Sequence, residues 1–195
     1  MKLRIRYFII MLSLFFFIDA YGADKFKVKP LIGEQLVATT NAINQELQNT
    51  TLQDVSYTEG QSFTITFSNG SSLAMLSGKG KYNNPEGIFV DTCFVGFAPA
   101  SGSAYLIFTV GIGNWEATSC NDLLAIGFIA DEAMEHPKIL LLYSAQSPNY
   151  ESKPAALLSW NKKASHYEVD EKTSALLDNI PERTMSALKK GFRAD

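Results

Sequence analysis

With 195 residues, 46% of them hydrophobic, the chain is long enough for one domain with a substantial buried core. Its 20 Asp and Glu outnumber 17 Lys and Arg, which argues against nucleic acid or an anionic lipid surface as partner. Two cysteines cannot complete a zinc site by themselves.

Lys2, Arg4 and Arg6 precede an apolar run, Tyr7–Ile18, broken only by Ser13, and the small residues Ala20, Gly22 and Ala23 follow. This three-part layout predicts a secretory signal peptide over residues 1–22, with an apolar core too short for a comfortable transmembrane span. The alternative is an uncleaved N-terminal anchor. Cleavage after Gly22 leaves 14 bases against 19 acids on residues 23–195, a net charge of −5. The expected location is the periplasm or the outside of the cell, with no transmembrane segment after removal of the signal. In that compartment an even cysteine count predicts one disulfide, Cys93–Cys120.

Leu31–Gln48 carries Ile32, Leu36, Ile43 and Leu47 near helical spacing and reads as an amphipathic helix. A strand near Leu52–Tyr57 precedes the strictly alternating Ser62–Ser68. Asn69-Gly70 then predicts a two-residue turn, with Phe63 opposite Leu76, Ile65 opposite Ala74 and Phe67 opposite Ser72. Ser77–Gly87, with three glycines and a proline, reads as a flexible loop. The central unit is Gly87–Cys120. Its apolar runs Ile88–Phe97 and Ala104–Ile112 flank the turn-rich Ala98–Ser103, giving a hairpin whose second strand reads as central in a sheet, one face fully buried.

Gly113–Asp122 is a connection carrying Trp115. Leu123–Ala130 leans toward strand, Asp131–Pro137 is a charged turn, and Lys138–Ser144 is a buried strand. After a polar loop, Ala145–Pro154, comes a hairpin of Ala155–Trp160 and Ser165–Val169. Two short helices follow: Glu171–Asp178 behind Asp170 as cap, and Pro181–Lys190 with Pro181 first and Gly191 after its end. The expected fold is α+β: one curved antiparallel sheet of about six to eight strands, with an N-terminal helix and two short C-terminal helices packed against it, in a single domain over residues 23–195.

The sequence carries no G-x-S-x-G, no G-x-x-x-x-G-K-[ST], no H-E-x-x-H and no C-x-x-C. Gly78-Lys79-Gly80-Lys81 lacks the spacing of a phosphate cradle, so no cofactor or metal is expected. Three carboxylate or histidine groupings remain. His166 and Glu168 share the outer face of a strand. His136 follows the acidic run Asp131–Glu135 without the alternation a Ca²⁺ loop needs. Glu116 and Asp122 flank Cys120 beside Trp115, where a carboxylate pair for hydrolysis would depend on their separation.

A stronger signal lies in the aromatics. Tyr82, Trp115 and Tyr150 fall in predicted loops beside Glu86, Glu116 and Glu151, and Trp160 ends a strand at a turn. Aromatic anchors with steering carboxylates suit a protein-binding surface for a basic partner. The expectation is an exported interaction protein that binds and neutralises another protein, such as a cationic toxin or enzyme. An immunity protein against a secreted antibacterial toxin, or a lysozyme-type inhibitor, would have this organisation. The alternatives are a secreted hydrolase using loop carboxylates or His166, and a small-ligand carrier.

Overall fold

The computed structural model describes residues 25–84, 86–116, 118–130, 135–147 and 149–192. The signal segment and residues 131–134 of the expected charged turn lie outside them. Among the described residues, ten strands form two antiparallel sheets of five, rather than one. The first has the order β1 (Phe26–Pro30), β2 (Gln53–Phe67), β3 (Ser72–Asn83), β4 (Phe89–Pro99), β5 (Tyr105–Phe108). The second runs β10 (His166–Val169), β9 (Ala155–Asn161), β7 (Lys138–Ser147), β6 (Ser119–Ile129), with the short β8 (Tyr150–Ser152) paired to β7.

The sheets face each other across one buried cluster. Ile65, Leu73, Val95 and Phe97 of the first sheet meet Ile139, Leu141, Ala156 and Tyr167 of the second. Helix α1 (Gly33–Leu47) covers the outer face of the first sheet, packing Ile43 and Leu47 on Leu76 and Phe94. Helices α2 (Glu171–Leu177) and α3 (Met185–Phe192) cover the outer face of the second, with Leu177 and Leu188 on Leu140, Leu142 and Leu157. Both faces of the inner strands are therefore buried. Thr92–Phe97 and Ile139–Tyr143 are continuously buried runs, as expected of strands covered on both sides.

Several local expectations change. The turn after β2 is one residue longer: Gly70 N–H bonds Phe67 C=O (3.0 Å) and Phe67 N–H bonds Ser71 C=O (2.9 Å). With Gly70 at φ +82°, this is a type I turn closed by a left-handed residue. The register becomes Phe63↔Met75 and Ile65↔Leu73, which turns Leu73 and Met75 into the inter-sheet core. Ser77–Asn83 is strand, not loop, pairing β2 on one side and β4 on the other. Its glycines permit close approach: a Cβ on Gly78 would lie 2.6 Å from Ser56 O and 2.7 Å from the Phe94 ring.

β5 is an edge strand rather than a central one, and its side chains are half-buried on both faces. α1 starts at Gly33, leaving Ile32 outside the apolar stripe and 72% exposed. Asp170 caps α2 as expected, its Oδ1 accepting from Thr173 N–H at 3.0 Å. α3 begins at Met185 instead of Pro181 because Thr184 caps it, taking the Ala187 N–H on its hydroxyl. Among the described residues no helix is long and apolar enough to cross a membrane.

Candidate functional site

The chain passes from the first sheet to the second through residues 109–118. After pairing with Cys93, it leaves β4 at Gly111 (φ +101°), where a Cβ would lie 2.6 Å from both Asp91 O and Thr92 Oγ1. Only glycine fits that exit. A single 3-10 turn, Gly113–Trp115, follows. The Trp115 carbonyl accepts from Gly111 N–H (3.2 Å) and Thr118 N–H (3.0 Å), closing the loop on itself. The Trp115 ring packs on the inter-sheet core. Immediately beyond, Cys120 forms the expected disulfide with Cys93, Cα atoms 5.7 Å apart. The loop is thus tied down by a covalent bond, a ring and its own hydrogen bonds.

Two clefts open on either side of it. One, of about 620 Å³, lies between Trp115 and the β7–β8 hairpin and takes in Tyr150, Glu151 and Lys153. Arg183 also reaches it. That guanidinium caps the end of α2, donating from Nη1 to Leu177 O (2.8 Å) and from Nη2 to Asp178 O (2.9 Å), so most of its hydrogen-bonding is committed to the fold. The second cleft, of about 470 Å³, lies between Gly111–Gly113 and the β3–β4 turn and takes in Tyr82, Glu86, Val90 and Glu116. Asn84 shapes that turn, its Oδ1 accepting from Glu86 N–H (3.1 Å) and Ile88 N–H (2.8 Å). This cleft holds two carboxylates and no base among its described lining residues.

Six of the seven predicted surface residues line one or other of these clefts: Trp115, Tyr150 and Glu151 the first, Tyr82, Glu86 and Glu116 the second. Trp160 does not join them. It is half-buried, stacked on His136 with ring centroids 4.0 Å apart, and it touches Phe67 and Tyr167. Burial lowers the His136 pKa; Glu135 opposes that shift and Lys162 adds to it.

The groups weighed for hydrolysis each have a partner or cleft of their own. Glu168 accepts from Asn161 Nδ2 at 2.8 Å, while the His166 ring packs on Tyr105. Asp122 turns back to accept from Leu123 N–H at 2.9 Å, whereas Glu116 faces the second cleft. Among the described residues, no group of three His, Cys, Asp or Glu is placed to hold a metal.

Two residues outside the expected binding surface, Ile88 and Phe89, also stand at this site. Both belong to the apolar run Ile88–Phe97, and they are 56% and 53% exposed beside the second cleft. β5 pairs β4 only as far as Phe94 and does not reach them. No protein-family model, curated protein or solved structure matches the chain, so its function has to be read from this loop and the clefts it separates.

Proposed function

We propose that the protein is an exported binding domain that grips and neutralises another protein through the loop 111–118 and its two flanking clefts. The observation that carries this reading is that Trp115 and Glu116, adjacent in sequence, line different clefts on one tethered loop. Such a loop offers an aromatic anchor on one side and a carboxylate on the other. Because it is held in place before binding, little ordering cost is left to oppose association. Tyr150 and Tyr82 add contact area, and Glu86, Glu116 and Glu151 favour a cationic partner, as does the net charge of −5 on residues 23–195. A basic toxin or a wall-cleaving enzyme of the lysozyme type has the matching chemistry.

Photo-crosslinking tests this directly. A benzophenone amino acid replaces Glu116 or Tyr150 in the mature protein, with Lys163 in the exposed β9–β10 turn as control. The expected result is a stoichiometric adduct from periplasmic extract at the first two positions only, lost in about 0.5 M salt. Equal labelling from Lys163, or no adduct at any position, would overturn the reading.

A further inference from the structure

β4 is longer than its outer neighbour. On the inner side it pairs with β3 throughout, from Leu73↔Pro99 to Asn83↔Phe89. On the outer side β5 covers only Phe94–Phe97, and Cys93 is closed by Val110 C=O and Thr109 N–H. Alternation along a strand then points the backbone N–H and C=O of Asp91 and Phe89 to the same outer side as those of Cys93. The chain that would have continued β5 departs at Gly111, whose backbone lies against Asp91 C=O, and among the described residues no strand lies opposite Phe89 and Val90.

Protein edges of this kind are usually blunted by charge, proline or a cover. Here the edge begins with the exposed apolar pair Ile88 and Phe89 and borders the cleft lined by Glu86 and Glu116. The neighbouring base, Lys81, is paired with Asp54 at 3.2 Å. A second copy of the chain is a poor occupant, since each copy brings the same carboxylates and net negative charge.

We propose that the outer edge of β4 at Phe89, ending where Gly111 covers Asp91 C=O, is a β-augmentation site that takes an extended, basic segment of the partner protein. The segment adds as a short sixth strand beside β4, places an apolar side chain on Ile88 and Phe89, and sets Lys or Arg side chains against Glu86 and Glu116. This inference rests on the reading of the protein as a binding domain and names which part of the partner enters the second cleft.

The test uses three labelled eight-residue peptides on the mature protein: alternating Lys and Val, alternating Glu and Val, and the Lys–Val peptide N-methylated at every second residue. The Lys–Val peptide is expected to bind about tenfold more tightly than either of the others. Its amide shifts should fall on 88–92 and 111–116. The double charge reversal Glu86→Lys/Glu116→Lys, at two exposed positions, should keep the melting temperature and lose the same factor of about ten. Equal binding of the N-methylated peptide, or shifts centred on Tyr150 or β1, would overturn the proposal. Failure here is separable from failure of the parent reading. A cross-linked adduct that survives the charge reversal leaves the binding domain standing and removes the strand addition; peptide binding at the edge without any adduct does the reverse.

Discussion

The His136 imidazole lies flat on Trp160, ring centroids 4.0 Å apart, and 4.5 Å from the Phe67 ring centroid. That stack has a pH consequence. Burial, opposed by Glu135 and reinforced by Lys162, lowers the folded-state pKa below the ordinary value of 6.5. The unfolded chain therefore binds the proton more readily, and stability rises with pH through that window. The contribution is complete above about pH 6.5 and is lost as pH falls toward the lowered value. Thermal melts from pH 7 to pH 5 should show a falling midpoint in the wild type and a flatter one in His136→Phe, which keeps an aromatic ring on Trp160 and cannot titrate. Parallel profiles for the two would remove His136 as the cause.

At the scale of elements, alternation and turn chemistry were readable, whereas anything set by a neighbour was not. Ser62–Ser68 predicts its strand, but the register needed the conformation of Gly70, and one extra turn residue moved Leu73 and Met75 inward. Ser77–Asn83 looks like a loop by composition. It is strand because Gly78 and Gly80 let β2 and Phe94 approach its backbone, a relation no local window contains. The disulfide was legible from the even cysteine count together with the expected export. It joins β4 to the start of β6 across a separation of 27 residues, a closure worth roughly 3–4 kcal/mol in the chain-entropy model. Reduction of the wild-type protein is expected to lower unfolding free energy by about that amount, without the lost side-chain volume that Cys93→Ala/Cys120→Ala would add. Hydrogen exchange at 111–118 should rise in step. Unchanged exchange there on reduction would mean that the ring of Trp115 and the loop's own hydrogen bonds hold it without the tether.

For the molecule as a whole, the class α+β was legible and the number of sheets was not. Consecutive apolar residues in Thr92–Phe97 and Lys138–Tyr143 signalled burial, but whether two faces are covered by helices or by a second sheet is a question of tertiary order. Polar cross-ties help fix the answer found here. Tyr167 N–H donates to the Tyr105 hydroxyl at 3.1 Å, joining β10 to β5. The hydroxyls of Thr109 and Tyr143 meet at 2.9 Å, and that of Thr109 also reaches Cys93 C=O at 3.1 Å. Tyr143 and Thr109 are both 1% exposed, so neither group can turn to water. Removing one partner is then asymmetric. Thr109→Val strands the Tyr143 hydroxyl and takes a bond from Cys93 C=O, and is expected to cost about 2–3 kcal/mol. Tyr143→Phe leaves Thr109 its carbonyl partner and should cost about 1 kcal/mol. In the double variant no hydroxyl is stranded, so its cost should fall below the sum of the two by about 1 kcal/mol. Denaturant unfolding of the four proteins measures all three quantities. Strict additivity would show that the sheets are held in register by their apolar faces alone.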